Sequence, residues 1–240
     1  MKILLQNVQS GINNSKGYYQ IPFIFWKYFL PHSNKPIIKL GDYIKNNNID
    51  IAILTEIDAG SFRTLWNNQL KLLSNKSLIK NYYFFKTFNF YNINNQGNAI
   101  LSKKTILKTE NHKLEGKGEP RFLSEAIIEY NNKKNIIFLI THLSMNKKTR
   151  TKQLHEIKKI YNNIEGDKIL LGDFNISSED ELEILINENC RRISFYKTFP
   201  SWNPKKFLDN IFLSKNIKIK NIVPAKILIS DHLGIEFEIF

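Results

Sequence analysis

Nine short apolar runs, spread along the whole chain, limit what this sequence can fold into more than any other feature. Each run is bounded by polar residues and is rich in Ile, Leu and Phe, a pattern typical of buried β-strands. The predicted strands are Ile3–Val8, Ile51–Thr55, Tyr82–Phe88, Asn98–Ser102, Ser124–Tyr130, Ile136–Thr141, Ile169–Gly172, Phe207–Leu213 and Ile235–Phe240. The close spacing of the runs 124–130 and 136–141 favours an antiparallel hairpin.

Helical periodicity lies between some of these runs. The two predicted helix faces are Phe62, Leu65, Trp66, Gln69 and Leu73, and Leu154, Ile157, Tyr161 and Ile164. Ser178 followed by Glu181 predicts a capping box that opens a third helix. Helices between some strands and hairpins between others predict mixed β-sheets covered by helices. The chain carries no linker or repeat, so we expect a single domain over residues 1–240.

The sequence has no pattern of export or membrane insertion. The N-terminus turns polar at Gln6 before a signal peptide could form, and no stretch approaches ~20 uninterrupted apolar residues. The lone cysteine, Cys190, fits a reducing compartment. We therefore expect a monomeric cytoplasmic protein. The aromatic segment Ile21–Leu30 is too short to span a bilayer, and it predicts a core or lid element or, alternatively, an interfacial one.

The charge balance indicates an anionic partner. A net charge of +13 and a pI near 9.6 suit nucleic acid or a phospholipid surface. Lysine supplies nearly all of this charge in a chain rich in Asn and Ile, so a codon bias explains the lysines equally well.

Five apolar runs finish in side chains that bind metals or transfer protons. The residues at these ends are Asn7, Glu56, His142, Asp173 with Asn175, and Asp231 with His232. Ligands gather at the carboxyl ends of strands in α/β sheets, so we expect these side chains to lie close together. Any one of them alone reads as a loop residue or a helix cap; five in one chain predict a site.

The motifs LQNVQSG, ILTEID, GNAILSKK, THLS, LLGDFN, LDNIFLS and SDHLGI resemble, in order, those of the endonuclease/exonuclease/phosphatase superfamily. The resemblance runs over residues 3 to 240. It implies a four-layer α/β sandwich, in which two mixed β-sheets pack face to face and are flanked by helices. It also implies a metal-dependent hydrolase of phosphodiesters.

The resemblance assigns roles to the central residues. Glu56 would hold the cation, expected to be Mg²⁺ with Mn²⁺ as the alternative, because a hard carboxylate with waters and substrate oxygens completes an octahedral site. Asn7 would position that metal or its water without adding negative charge. Asp173 would orient or deprotonate the attacking water, and Asn175 would donate a hydrogen bond to a phosphoryl oxygen or to that water. On an extended strand end, Asp173 and Asn175 would point to the same side.

Histidines complete the predicted site. His142 and His232 would bind the nonbridging phosphate oxygens, and the alternative for His142 is an ordinary buried histidine. His232 suits this task best as an imidazolium or as a donor fixed by a carboxylate. Asp231 would help to place the metal or pair with the other histidine.

Three further residues are secondary candidates. Arg121 could clamp a substrate phosphate or form a surface salt bridge. Asn98 matches a recurring superfamily position near the site, although a turn at Gly97–Asn98 explains it almost as well. Asp209 is expected to support the site without touching substrate.

The motifs do not fix the substrate. The stretches NVQSG, EGKGEPR and THLSMNKK depart from those of abasic-site endonucleases, which counts against that activity. The net charge favours DNA over phospholipid, and the aromatic segment Ile21–Leu30 favours phospholipid. We therefore expect a nuclease or DNA phosphodiesterase first and a sphingomyelinase-like lipid phosphodiesterase second. A catalytically silent binding scaffold is the third hypothesis, and it is disfavoured because the acidic and histidine residues are all present.

Overall fold

The computed structural model describes residues 1–17, 25–131, 134–176 and 178–240. Each predicted strand falls within a strand of the structure, apart from differences of one or two residues at some ends. The strands are β1 (Lys2–Asn7), β2 (Ile51–Asp58), β3 (Asn81–Phe90), β4 (Asn94–Ser102), β5 (Ile106–Leu114), β6 (Arg121–Asn131), β7 (Lys134–His142), β8 (Asp167–Asp173), β9 (Arg191–Arg192), β10 (Asp209–Leu213), β11 (Ile219–Pro224) and β12 (Ile235–Ile239). Strands β5, β9 and β11 were not predicted.

The strands form two six-stranded sheets. The first sheet has the order β11-β12-β1-β2-β4-β3, and the second has the order β5-β6-β7-β8-β10-β9. Each sheet contains one parallel pair, β1 with β2 and β7 with β8, among antiparallel neighbours. The predicted hairpin is the antiparallel pair β6–β7. The sheets are therefore mixed, as expected.

Successive side chains along each strand point to opposite faces of the sheet, and this alternation produces the layers of the fold. Ile3 and Leu5 point into a core shared with side chains of the second sheet, whereas Leu4 points to the opposite face. That opposite face is covered by two helices, α1 (Lys35–Asn46) and α2 (Gln69–Ser77). The outer face of the second sheet is covered by a third, α3 (Lys147–Asn163). The predicted four-layer α/β sandwich is confirmed.

The sequence predicted one of the three long helices correctly and did not predict another. Leu154, Ile157 and Tyr161 are buried on α3, as expected. Helix α1 was not predicted, although it buries a regular face of Ile37, Leu40 and Ile44.

The predicted helix face from Phe62 to Leu73 was wrong in its first half. Residues 62–64 form a short 3₁₀ turn, and α2 starts only at Gln69. Leu65 and Trp66 lie between them with left-handed φ angles of 52° and 61°, which a right-handed helix does not accommodate. Both side chains are exposed instead of buried.

The predicted capping box at Ser178 was also wrong. Residues 179–184 form a 3₁₀ helix without a side-chain cap. The Glu181 carboxylate accepts hydrogen bonds from Nε and Nη2 of Arg150 at 3.0 and 2.9 Å, so it does not reach back to Ser178.

Among the described residues, no helix combines the length and apolarity needed to cross a membrane. Residues 21–24 of the predicted aromatic segment lie outside the described residues. Its remaining part contains a 3₁₀ turn at Phe25–Tyr28, after which Phe29 and Leu30 are about half exposed.

Candidate active site

The predicted site residues meet at one end of the sandwich, around a cavity of about 780 Å³. Eight of the ten candidates line this cavity, namely Glu56, Asn98, Arg121, His142, Asp173, Asn175, Asp231 and His232. The other two, Asn7 and Asp209, are buried beside these residues and do not line it. The convergence follows from the two parallel pairs, because β1 and β2 end at the same edge of one sheet and β7 and β8 end at the same edge of the other. His142 is the register partner of Asp173.

Asn7 connects the two sheets. Its Nδ2 donates hydrogen bonds to Glu56 Oε1 at 2.9 Å and to Asp173 Oδ2 at 3.0 Å. Its Oδ1 accepts a hydrogen bond from the backbone N–H of Gln9 at 3.0 Å. Asn7 therefore holds the two carboxylates at a fixed separation and offers them a neutral donor.

Glu56 projects from an irregular point of β2. The register of the β2–β4 pair shifts between Leu54 and Ile57, and Glu56 has a left-handed φ of 58°. Such a bulge turns a side chain away from the regular strand alternation and is common beside active sites. Gln96 Nε2 lies 3.4 Å from Glu56 Oε2.

A buried ion pair supports this bulge. Asp58 accepts a hydrogen bond from Arg63 Nε at 2.9 Å, and both side chains are almost fully buried. Arg63 Nη2 donates to Ser10 Oγ at 2.6 Å, and Ser10 Oγ donates to the Glu56 carbonyl at 3.0 Å. The sequence interpretation missed this network. One sequence feature could have indicated this network: Arg63 follows Asp58 by five residues, in a chain with only five arginines.

Gly172 allows the strand carrying Asp173 to approach its neighbour. A Cβ at position 172 would lie 1.9 Å from the Thr141 carbonyl oxygen, and the φ of +146° also favours glycine. The glycine of the GDFN motif is therefore a packing requirement of the β7–β8 pair.

Asp173 and Asn175 both line the cavity, as expected, but a turn brings them there and not the extended strand end that was predicted. Strand β8 ends at Asp173, and Asn175 has a left-handed φ of 52°, so the extended geometry was wrong. The Asn175 backbone N–H donates to Asp173 Oδ1 at 2.9 Å, and its Nδ2 donates to the Leu143 carbonyl at 2.9 Å. This turn fixes the Asp173 carboxylate and brings Asn175 to the cavity wall.

The two histidines differ in environment. His232 Nδ1 lies 2.8 Å from Asp209 Oδ2, so Asp209 fixes the ring as the sequence predicted for a supporting carboxylate. Burial alone would lower the pKa of His232, but Asp209 and Asp173 raise it well above its usual value. Burial lowers the pKa of His142 well below its usual value, and Arg121 adds to this effect.

The carboxyl groups are crowded. Burial raises the pKa of Asp173 to about 7; His232 opposes this shift, and Asp209 adds to it. Burial likewise raises the pKa of Asp231 to about 7. Asp231 Oδ2 accepts a hydrogen bond from Gln9 Nε2 at 2.9 Å. The carboxylates within 4 Å of the other histidine, His142, are those of Glu56 and Asp173 among the described residues.

Two of the secondary candidates, Arg121 and Asn98, also line the cavity. Arg121 is the first residue of β6 and forms an ion pair with Glu119 at 3.1 Å, so the two interpretations of Arg121 coexist. Asn98 lies inside β4, and its Nδ2 is 3.4 Å from Ser124 Oγ, so the turn at Gly97–Asn98 was wrong.

The donor set fits a hard divalent cation. Ligand atoms of Glu56, His142 and Asp173 all lie within 4.8 Å of one another. His142 Nε2 is 3.9 Å from Glu56 Oε1 and 3.6 Å from Asp173 Oδ2. Carboxylate oxygens are the ligands that Mg²⁺ and Mn²⁺ prefer, and a cation here would offset the mutual repulsion of the buried carboxylates.

The structure has two facing mixed sheets, and carboxylates, amides and histidines lie together where their parallel strands end. This arrangement is typical of hydrolases that act on phosphoesters. The chain belongs to the endonuclease/exonuclease/phosphatase family, whose model matches residues 5–232. Comparison with curated protein sequences gives no significant match.

Solved structures of low sequence identity share the fold. A family protein from Leptotrichia buccalis C-1013-b is 21% identical, with a TM-score of 0.74 over 100% of this chain and 99% of that chain. The mannosyl-6-phosphatase Bt3783 of Bacteroides thetaiotaomicron is 15% identical, with a TM-score of 0.76 over 100% and 99% of the two chains. D. rerio TDP2, complexed with single strand DNA product, is 16% identical, with a TM-score of 0.71 over 99% and 97%.

Proposed function

We propose that this protein is a Mg²⁺-dependent phosphodiesterase of the nuclease type. The observation that carries the proposal is the convergence of Glu56, His142 and Asp173 beside a histidine fixed by Asp209. Hydrolysis of a phosphodiester requires an activated water, stabilised nonbridging oxygens and a neutralised leaving oxygen. Side chains for these tasks line one cavity.

Each residue then has a task. Glu56 and Asp173 would hold the cation, which would supply Lewis-acid polarisation of the phosphate, and Asn7 fixes the distance between the two carboxylates. Asp173 orients the attacking water and accepts its proton. His232, held by Asp209, donates to a nonbridging oxygen.

Other residues bind and place the phosphate. His142 and Arg121 contact its remaining oxygens from the second sheet. Asn175 and Asn98 offer amide donors along the wall. Asp231, held by Gln9, keeps a further carboxyl group beside the metal ligands.

A substrate panel tests the proposal. The purified protein would be assayed with Mg²⁺, with Mn²⁺ and with EDTA on plasmid DNA, 3′-blocked and abasic oligonucleotides, sphingomyelin and phosphoinositides. We expect cleavage of a phosphodiester that EDTA abolishes. Metal-independent cleavage, or no turnover of any phosphoester, would contradict the proposal.

The Asp209–His232 contact yields the first prediction. Asp209→Asn should lower kcat by about 10- to 100-fold, because the histidine loses the partner that orients it and favours its charged form. Circular dichroism and the melting temperature would establish folding. Asp167→Asn, at the far end of β8, is the matched control and should leave kcat unchanged. Full activity of Asp209→Asn would remove this histidine pair from the mechanism.

DNA is our first choice of substrate. Two cationic side chains outside the first sheet and its loops face the cavity. Arg121 and Lys206 line the cavity, and Lys147, Lys148 and Lys205 are close to lining residues in sequence. These cations and the net charge of +13 suit a polyanion. The DNA product bound to D. rerio TDP2 is consistent with this choice.

Salt dependence provides the second prediction. Each phosphate contact releases counterions, so log K for DNA should fall with log[salt] by roughly 0.7 to 0.9 per phosphate contacted. Fluorescence anisotropy of a labelled oligonucleotide, measured in EDTA across a salt series, gives the slope. A flat line would indicate that phosphate contacts do not dominate binding.

Phospholipid is the second candidate substrate, and one observation favours it. Loops of the first sheet place exposed apolar side chains beside the cavity, and we call this surface the apolar rim. Its members are Phe29, Leu30, Phe62, Leu65, Trp66, Phe90 and Tyr91, which are between 43% and 86% exposed.

A further inference from the structure

Backbone hydrogen bonds join the three loops of the apolar rim into one surface. The N–H of Phe62 donates to the Asn92 carbonyl at 2.9 Å, which links the loop after β2 to the turn between β3 and β4. The N–H of His32 donates to the Arg63 carbonyl at 2.9 Å, which links the segment containing Phe29 and Leu30 to the same loop. Phe29 also lines the cavity. The rim is therefore continuous and adjoins the cavity mouth.

The apolar rim is almost free of charge. Residues 28–34, 61–68 and 88–98 contain no lysine and no carboxylate, in a chain of which 24% is charged. Their one cation, Arg63, is buried against Asp58. Depletion of charge together with exposed aromatic side chains is typical of the centre of an interface. Such a surface offers nothing to a polyanionic backbone, which binds through cations.

Backbone conformation makes the rim's apolar side chains unusual. Leu65, Trp66 and Tyr91 have left-handed φ angles of 52°, 61° and 45°. Asn, Asp and Gly are favoured at such positions, and exposure to water favours the same polar residues. The sequence nevertheless has Leu, Trp and Tyr there. Tyr91 packs edge-on against Phe90, with ring centroids 5.0 Å apart. Neither the backbone conformation nor exposure to water favours an apolar side chain at these three positions, so they point to a binding role.

We propose that the apolar rim docks on the surface of a lipid bilayer. Trp and Tyr are suited to the boundary between headgroups and acyl chains, because each combines an apolar ring with a polar tip. Leu30 and Leu65 add apolar side chains that have no flat face on which a nucleobase could stack. The choice of a bilayer over a protein rests on the proposed phosphodiesterase activity with phospholipid, its second candidate substrate, because a bilayer would present phosphodiester headgroups to a cavity that adjoins the rim.

Vesicle binding without catalysis tests this proposal. The protein would be sedimented with phosphatidylcholine vesicles in EDTA, so that failure of the hydrolase proposal does not affect the result. The test variant is the triple substitution Leu65→Asn, Trp66→Asn and Tyr91→Asn. Asn accommodates the left-handed backbone at all three positions, and the variant should fold. We expect vesicle binding of the unaltered protein that resists salt and falls at least ~10-fold in the variant.

Leu78 provides a matched control. It is also left-handed, with a φ of 63°, and is 61% exposed, but it ends helix α2 and does not belong to the rim. Leu78→Asn should bind vesicles as the unaltered protein does. Hydrolysis of a small soluble phosphodiester should be equal in all these variants, because none of the substituted residues lines the cavity.

A second measurement requires no variant. Brominated phosphatidylcholine should quench the tryptophan fluorescence of the unaltered protein if Trp66 enters the bilayer. Absence of quenching together with absence of sedimentation would overturn the proposal. Equal vesicle binding by the triple variant would also overturn it. A triple variant that lost binding to single-stranded DNA and kept its binding to vesicles would instead assign the rim to base stacking.

Discussion

Asp173→Asn should lower kcat by about 10³-fold, the largest effect we expect from a single substitution. Asn keeps the volume of the side chain, but it cannot accept a proton from the attacking water. Its single amide oxygen can also keep only one of the two hydrogen bonds that Asp173 accepts from Asn175 and Asn7. An interaction needed only in the transition state lowers kcat and leaves substrate affinity nearly unchanged. Steady-state kinetics on the best substrate of the panel would separate the two parameters.

The control for Asp173→Asn lies on the same strand. Asp167 begins β8, at the end remote from the cavity, and Asp167→Asn should behave as the unaltered enzyme. A rise in KM with an unchanged kcat in Asp173→Asn would show that this carboxylate anchors the substrate instead of activating water.

Glu56→Gln should lower activity at least ~100-fold through weaker metal binding. The amide keeps the volume of the side chain but removes the negative charge that a hard cation requires. Isothermal titration with Mn²⁺ would report the affinity directly, and raised Mn²⁺ concentrations should restore part of the activity. The melting temperature in EDTA should stay close to that of the parent.

Glu238→Gln is the control for Glu56→Gln. Glu238 belongs to the first sheet but pairs with Lys220 and with the opposite end of β1, so its substitution should leave metal affinity unchanged. Tight Mn²⁺ binding and full activity in Glu56→Gln would remove Glu56 from the metal site.

The sequence predicted the central strands because they are buried on both faces. Ile51–Thr55 and Ile169–Gly172 are short, nearly continuous apolar runs, and their shortness favours a buried strand over a helix. The three strands that were missed, β5, β9 and β11, are all edge strands. Their solvent-facing positions carry charged or polar residues, such as Lys108 and Glu110 in β5, so apolar patterning does not reveal them.

The site was predicted where it depends on strand ends and missed where it depends on local backbone geometry. Asn7, Glu56 and Asp173 lie at or near the carboxyl ends of β1, β2 and β8, and the apolar runs are sufficient to indicate where these strands end. The left-handed φ of Glu56 and the Arg63–Ser10 contact behind it depend on packing between distant segments. No short-range pattern encodes such contacts, and the same holds for the break at Leu65 and Trp66.

The place of β1 in its sheet has a consequence for the synthesis of the protein. Strand β1 pairs with β12, and the loop before β12 carries Asp231 and His232. The sheet is complete only when β1 has paired with β12, a connection that spans nearly the whole of residues 1–240. A nascent chain on the ribosome lacks Asp231 and His232 until residue 232 has emerged. The proposed hydrolase site is therefore incomplete in any shorter growing chain.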